Sequence, residues 1–318
     1  MSGFDLRKQA PNAAVWLILL SMPLWIDAVG GYTQLGTQVV VMGLAAMSLN
    51  FLLGYTGVLS FGHAAYFGLG AYGVGMTIRY LVPSTGLGLL VGTGVGALAA
   101  AIIGPMIVRL RGVYFAMVTI AFAQVFYFIA FRWNSVTGGD DGLTNWTREP
   151  INFGFATLHI EKDPVTFYYF VLAIFAVAVA LMALLLQSPF GRTLIAIREN
   201  ERRTRFLGIN VNFHIWMSWV ISCTFMALSG SLYALLNNFV DPRTLYWTQS
   251  GVFVIMCVLG GMRSFWGPLV GAAIYVVLQD YLSSATPNWM SFIGLVFVVA
   301  VLFFPRGVLG IFRRKSTE

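Results

Sequence analysis

Residues 35–82 have the sequence LGTQVVVMGLAAMSLNFLLGYTGVLSFGHAAYFGLGAYGVGMTIRYLV, in which Arg79 is the single Lys, Arg, Asp or Glu. A helix needs about 20 consecutive, mostly apolar residues to cross the hydrocarbon core of a bilayer. The stretch holds two such segments, 35–53 and 63–82, on either side of a glycine-containing break at 54–62. It therefore predicts two membrane spans that meet at an interrupted segment.

The rest of the chain has the same character. Of its 318 residues, 58% are hydrophobic and 10% are charged, and the mean hydropathy is +0.79, whereas soluble domains are about 25% charged. Apolar stretches suited to spans are 13–30, 35–53, 63–82, 87–108, 113–131, 166–187, 213–239, 249–261, 265–282 and 290–304. They predict an all-α polytopic membrane protein of about ten transmembrane helices. Eight is the alternative. Residues 249–261 are too short for a simple straight crossing, and glycine interrupts the apolar sequence at two places, 54–62 and 260–267.

The basic residues predict the orientation. Lys and Arg are retained on the cytoplasmic side of membrane proteins, and a cytoplasmic N-terminus places fourteen of the nineteen there. These are Arg7, Lys8, Arg109, Arg111, Arg192, Arg198, Arg202, Arg203, Arg205, Arg263, Arg306, Arg313, Arg314 and Lys315. We expect a multi-pass protein with both termini in the cytoplasm. The retention of basic residues on the cytoplasmic side explains the net charge of +7. We therefore expect the chain to contact membrane lipid and not nucleic acid.

Two long polar segments divide the chain. Residues 132–165 are expected outside, and residues 188–212 are expected to form a cytoplasmic helix with charged and apolar faces. We predict one membrane domain, 1–318, with a first half at 13–187, a second half at 213–305 and a cytoplasmic tail at 306–318. Ser60-Phe61 and Ser264-Phe265 are followed by similar small residues, which indicates a weak internal repeat of the kind found in transporters; chance similarity of glycine-rich apolar sequence is the alternative.

The chemistry-bearing residues argue against an enzyme. No phosphate-binding Gly-x-x-x-x-Gly-Lys-Ser/Thr loop occurs. The chain therefore does not hydrolyse ATP by such a loop, and the energy for any active transport must come from a partner or a gradient. Ion-coupled carriers place acids or histidine deep in their spans, and no acid falls at a predicted midplane. Cys223 and Cys257 have no metal-binding spacing. We therefore expect no catalytic residue, metal or cofactor in this chain.

Several blocks of sequence together resemble one family. They are NFLLGYTG at 50–57 running into LSFGHA at 59–64, RGVYFA at 111–116, TGG at 137–139, the block from Gly191 to Ile209, and Gly260-Gly261 with Gly267-Pro268. In this order they resemble the LivM-type membrane subunits of ABC importers for branched-chain amino acids, over about residues 35–310. The N-terminal span and the external segment after Gly142 match least.

The resemblance implies an importer with several subunits in a bacterial cytoplasmic (inner) membrane. A second, LivH-like permease, two LivG/LivF-like cytoplasmic ATPases that use ATP and Mg, and a periplasmic solute-binding protein are the implied partners. It also implies that segment 188–212 contains the coupling helix that sits in a cleft of an ATPase. Its coupling candidates are Arg192, Arg198, Glu199, Asn200 and Glu201, and we expect the apolar side of this helix to enter the partner's cleft.

Tyr55, Ser60 and His63, at the first break, are candidates for lining the substrate path. Interhelical hydrogen bonding is the alternative role for all three, since unsatisfied polar groups are costly in hydrocarbon. Branched-chain amino acids are the preferred solute because they are the commonest assignment for this resemblance; urea, short amides and aromatic acids are the others. A passive channel or gradient-driven carrier for a small polar solute is the alternative function.

Overall fold

A computed structural model describes residues 6–152, 157–303 and 307–312. Within these residues the protein is almost entirely helical, which confirms the predicted class. The main helices are α1 (Leu6–Trp25), α2 (Thr33–Thr56), α3 (His63–Met76), α4 (Thr85–Ile107), α5 (Val113–Arg132), α6 (Asn134–Thr137), α7 (Pro164–Gln187), α8 (Pro189–Glu199), α9 (Glu201–Phe206), α10 (Val211–Asn237), α11 (Trp247–Gly260), α12 (Gly267–Ala285), α13 (Trp289–Phe303) and α14 (Val308–Phe312). Each of the apolar stretches predicted as a span overlaps one of these helices.

Among the described residues, five helices are long and apolar enough to cross a membrane, namely α2, α4, α5, α7 and α10. Three shorter apolar segments, Asn12–Trp25, Trp247–Gly260 and Trp289–Ala300, accompany them. Large apolar side chains such as Leu90 of α4 and Leu184 of α7 are 74% and 65% exposed, as expected of surfaces that contact lipid. The number of crossings and the internal repeat stay predictions.

Two short strands depart from the purely helical prediction. β1 (Ile151–Asn152) and β2 (Thr157–Leu158) pair in antiparallel fashion. Leu143 and Val240 form a further isolated bridge through two backbone hydrogen bonds of 2.9 and 3.2 Å. Both features lie in or against the polar segment 132–165. Strands of two residues are too short to show the alternation of apolar and polar residues from which a strand is predicted.

α10 is the central helix, packed against α2, α3 and α4. Small residues bring α3 and α10 into backbone contact: a Cβ atom on Gly70 would lie 2.0 Å from the carbonyl oxygen of Ala227, and one on Gly230 would lie 1.8 Å from that of Phe67. Small residues permit such close approach between membrane helices. The centre of the bundle is therefore tightly packed, in a chain that has thirty-four glycines.

Both predicted breaks are real connections between helices. α2 ends at Thr56 and α3 begins at His63, while α11 ends at Gly260 and α12 begins at Gly267, so the connections 57–62 and 261–266 are equally long. Each starts with a glycine at positive φ, Gly57 at 78° and Gly261 at 110°, a conformation that favours glycine. They lie side by side, since a Cβ atom on Gly54 would come within 2.4 Å of the carbonyl oxygen of Met262.

The opposite end of the bundle carries the polar segment 132–165. Arg79 Nη1 donates to the carbonyl of Thr144 at 2.9 Å, Thr85 Oγ1 to that of Glu149 at 2.7 Å, and the Arg148 amide to Asn238 Oδ1 at 3.2 Å. The segment is therefore fastened to the ends of α3, α4 and α10. The predicted tail 306–318 lies outside the described residues apart from 307–312, and so do the side chains of Arg7 and Lys8.

Candidate functional site

Segment 188–212 folds as two short helices whose ends are fixed by polar side chains. Ser188 Oγ accepts a hydrogen bond from the Gly191 amide at 3.4 Å at the start of α8. Asn200 separates α8 from α9, and its Oδ1 accepts from the Arg203 amide at 2.9 Å. Such side chains satisfy amides that a helix start leaves without partners. Asn200, a coupling candidate, therefore has a local structural contact.

The apolar side of α8 faces the protein itself. Leu194 and Ile197 are buried, and Ile197 packs in a cluster with Val108, Val211 and Ile215. The expectation that this side enters a partner's cleft is wrong, because the spans bury it already. Periodicity shows that a helix has an apolar side but not which surface covers it.

The outward surface of the segment is charged, with a small apolar tip. Arg192 and Glu199 are exposed. At the end of α9, Phe206 and Leu207 are 84% and 74% exposed. These residues are free of the bundle and available to another protein.

Arg198 turns inward, unlike its neighbours. Its Nη1 donates to the carbonyl of Gly54 near the C-terminal end of α2, where a cation complements the partial negative charge of a helix end. Gly57 lies against its methylene stem, since a Cβ atom there would be 2.9 Å from Arg198 Cγ. Arg198 therefore joins segment 188–212 to the first break.

Glu201 also binds within the chain. Its carboxylate accepts from Arg111 Nε at 2.8 and 3.0 Å and from Arg205 Nη2 at 2.7 Å. The Arg111 and Glu201 side chains are 33% and 31% exposed, so solvent screens the pair in part. Arg111 was not among the candidates because the distribution of basic residues explained it as a topology signal; its place in the block at 111–116 was the available clue.

A cavity of about 680 Å³ separates segment 188–212 from the first break. Its charged residues are Arg111, Arg198 and Glu201. The remaining lining is mostly apolar: Thr56, Gly57, Val58, Leu59, Phe61, Leu110, Gly112, Val113, Ala116, Ile197 and Ile215. The cavity thus brings together the break and two of the coupling candidates.

Ser60 and His63 meet in a buried network. His63 Nδ1 lies 2.9 Å from Ser60 Oγ and Nε2 lies 2.9 Å from Ser222 Oγ, and Ser222 donates its only hydroxyl hydrogen to the carbonyl of Ser48 at 2.5 Å. Nε2 must therefore carry the proton, and Nδ1 accepts from Ser60. With both ring nitrogens bonded and no exposed surface, His63 has the contacts of a structural interior histidine.

Tyr55 lies apart from these two residues. It lines a second cavity of about 430 Å³ together with Asn12, Trp16, Gln187 and Trp266. The sequence places Tyr55 close to Ser60, but α2 ends between them and the chain turns at Gly57. The structure therefore brings Ser60 and His63 together and leaves Tyr55 on another surface of α2.

Within the described residues, no group of three or more His, Cys, Asp or Glu side chains is arranged to hold a metal ion. Cys223 and Cys257 are both buried and unpaired. The site offers charged contacts, a partly apolar cavity and helix ends, which suit the movement of segments and solutes.

Comparison with known proteins agrees with this arrangement. Residues 31–302 match the family described as branched-chain amino acid transport system / permease component. The chain belongs to this permease family. It is 27% identical to the high-affinity branched-chain amino acid transport system permease protein LivM of Salmonella typhimurium, over 97% of this chain and 76% of that one. It is also 25% identical to the probable LivM of Methanocaldococcus jannaschii, over 84% and 89% of the two chains.

A different member of the same transport systems matches as well. The LivH permease of Salmonella typhimurium is 29% identical over 43% of this chain and 44% of its own length. No solved structure matches the chain. Membership in this permease family confirms the predicted LivM-type resemblance and a multi-pass transporter subunit, not an enzyme.

Proposed function

We propose that this permease is one of two membrane subunits of an ATP-driven importer that carries branched-chain amino acids into the bacterial cytoplasm. The observation that carries the proposal is the family match over residues 31–302, supported by the LivM relatives that align with nearly the whole chain. Both groups of relatives are named for branched-chain amino acid transport. The solute assignment for this chain rests on them.

The proposed topology has ten spans and cytoplasmic termini in the inner membrane. The connections 57–62 and 261–266, the turn before α5 and segment 188–212 then all lie on the cytoplasmic side. Segment 132–165, which is hydrogen-bonded to the ends of α3, α4 and α10, faces outward, where a solute-binding protein delivers the solute. The equal length of the two breaks supports the internal repeat.

Segment 188–212 is the proposed contact with an ATPase. Arg192, Glu199 and the apolar tip at Phe206 and Leu207 form its outward surface, with Asn200 fixing the kink between the helices. Arg198 and Glu201 serve the other side: they attach the segment to the bundle. A movement imposed on the outward surface is therefore passed to the first break.

The 680 Å³ cavity is the proposed cytoplasmic exit for the solute. Ser60 and His63 hold α3 and α10 together behind it, and Tyr55 lines the neighbouring cavity. An exit needs no strong binding groups because the binding protein selects the solute. This agrees with a lining that is mostly apolar.

Further subunits complete the proposed importer. A LivH-type permease forms the second membrane subunit, and the partial LivH match supports two related membrane chains. Two cytoplasmic ATPases supply energy from ATP with Mg, and a periplasmic protein supplies the solute. The permease itself needs no cofactor.

The test is uptake and ATP hydrolysis by the complete complex in liposomes, with labelled leucine, urea and benzoate offered through the binding protein. Leucine uptake that requires ATP, with hydrolysis raised by the loaded binding protein, supports the proposal. ATP-driven uptake of urea or benzoate instead would correct the solute. Uptake by this chain alone without ATP would make it a channel or a gradient-driven carrier.

A further inference from the structure

Arg111, in the connection between α4 and α5, binds three different parts of the chain. Besides the two contacts of its Nε with Glu201, its Nη2 donates to Asn212 Oδ1 at 2.6 Å. Its Nη1 donates to the carbonyls of Leu110, at 2.8 Å, and Val108. All three guanidinium nitrogens are therefore used, and they fasten the end of α4 to α9 and to the first turn of α10.

The contacts continue from Arg111 to the first break through α5. This helix begins at Val113, two residues further along. Its Thr119 accepts, through Oγ1, a hydrogen bond of 3.3 Å from the Phe61 amide. A Cβ atom on Gly62 would lie 2.4 Å from the carbonyl oxygen of Thr119, so the backbones of α5 and the break are in direct contact.

Segment 188–212 thus holds the first break from two directions. Arg198 binds the end of α2, before the break. Arg111 and α5 reach Phe61 and Gly62, at the end of the break. Contiguous contacts between rigid elements are one physical route by which distant sites are energetically coupled.

We propose that Arg111 is a positioning residue that passes the movement of segment 188–212 through α5 to the connection between α2 and α3. This rests on the function proposed above. The planar guanidinium suits the task because it binds a carboxylate, an amide oxygen and backbone carbonyls at once in a fixed geometry. A lysine keeps the charge but cannot make these contacts together.

Arg109 provides a matched control. It lies two residues away in the same connection and is exposed, and it makes no hydrogen bond or ion pair with the described residues. Replacing it removes the same charge from the same surface. It leaves the contact route between α9 and α5 intact.

The experiment compares Arg111→Gln, Arg111→Lys and Arg109→Gln in the complete complex in liposomes. ATP hydrolysis and leucine uptake are measured in the same vesicles, with the amount and melting temperature of the assembled complex. We expect Arg111→Gln to raise the ATP used per solute about fivefold or more, as for loss of a typical coupling between sites, while the complex assembles in the same amount and its melting temperature falls only slightly, because the lost contacts are partly exposed to solvent. Arg111→Lys should raise it less, and Arg109→Gln should match wild type.

The contrary results are distinct. Hydrolysis and uptake that fall in the same proportion would show that Arg111 only supports folding, and an unchanged ratio would show that it has no part in coupling. If Arg111→Gln does not assemble, Glu201→Gln must raise the ratio, and an unchanged ratio there overturns the proposal. Absence of ATP-driven uptake in wild type would instead refute the proposed function, and the role of Arg111 with it.

Discussion

His63 Nε2 donates a 2.9 Å hydrogen bond to Ser222 Oγ, which joins the start of α3 to the middle of α10. The Ser222 hydroxyl in turn donates a hydrogen bond to the carbonyl of Ser48 in α2. Three helices therefore meet in one line of buried polar groups. In each of these hydrogen bonds the donor and the acceptor are fixed. Replacing one of the side chains therefore leaves a neighbouring buried group without its hydrogen-bond partner.

Removing this line should destabilise the bundle. We expect Ser222→Ala to lower the free energy of unfolding by about 1–3 kcal/mol, because His63 Nε2 then keeps a buried hydrogen without an acceptor. Thr224→Val is the control, since Thr224 Oγ1 bonds only to Val220 in its own helix, at 2.7 Å. Thermal unfolding of the purified protein measures both, and equal melting temperatures would contradict the role given to Ser222.

The contact between α3 and α10 should tolerate no added carbon. Gly230→Ala places a methyl group 1.8 Å from the carbonyl oxygen of Phe67, and we expect overpacking to cost about 1–3 kcal/mol. Gly94→Ala in α4 is the control, because no atom lies within 4 Å of the added carbon. Melting of the two variants in the same detergent is the measurement. A Gly230→Ala protein as stable as Gly94→Ala would mean that the helices are further apart.

The two acids of segment 188–212 should respond differently to charge reversal. Glu199→Lys changes an exposed residue and should weaken coupling to the ATPase without loss of membrane insertion. Glu201→Lys also puts a cation between Arg111 and Arg205, so we expect lost coupling and a lower melting temperature. Uptake, hydrolysis and melting of each variant check this. Full uptake with both acids reversed would refute the coupling assignment.

The proposed orientation can be checked by cysteine labelling. The native Cys223 and Cys257 are buried, so background labelling of the folded protein should be low. Leu59→Cys, in the cavity lining and 37% exposed as leucine, should react with an impermeant maleimide only from the cytoplasmic side. Tyr80→Cys, at the other end of the bundle and 49% exposed as tyrosine, should react only from outside. The reverse pattern would invert the topology.

Asp163 should fix the outer end of α7 in a pH-dependent way. Its pKa is lowered from the usual value by hydrogen bonds from the Thr166 hydroxyl and from the Val165 and Thr166 amides. A carboxyl group with a lowered pKa in the folded protein stabilises it above the unfolded pKa, and loses this effect as pH falls through the folded pKa. Asp163→Ala should therefore speed amide hydrogen exchange at 165 and 166 at neutral pH. Equal protection in wild type and variant would show that the cap contributes nothing.

The hydrophobic pattern predicted the helices well because bilayer thickness sets a minimum length of apolar sequence. Each predicted span overlaps a helix, and the glycine breaks at 54–62 and 260–267 correspond to real connections. The strands β1 and β2 were missed because two-residue pairings carry no periodic signal. The limits of α2 differ by a few residues because Gly54, Tyr55 and Thr56 in its last turn are glycine or polar, and the span prediction stopped at residue 53.

The site was harder to predict than the fold. The sequence predicted an apolar side for the helix in segment 188–212, but it does not reveal that Val108, Val211 and Ile215 cover this side at Ile197. Arg198 and Glu201 bind residues more than eighty positions away, a distance at which spacing carries no information. The roles proposed for Tyr55, Ser60 and His63 in the substrate path stay predictions.

α10 begins within the last two residues of segment 188–212 and is the longest described helix, at 27 residues, or about 40 Å at 1.5 Å per residue. Its first turn holds Asn212, which binds Arg111, and just beyond its last turn Asn238 binds the backbone of Arg148 in the outer segment. Its close contacts with α3 and α4 lie at Ala227 and Gly230, nearer its C-terminal end than its middle. A rigid helix that tilts by about 5° about this contact moves its distant N-terminal end by roughly 2–3 Å, so a displacement at the Asn212 end is accompanied by a smaller, opposite one at the Asn238 end.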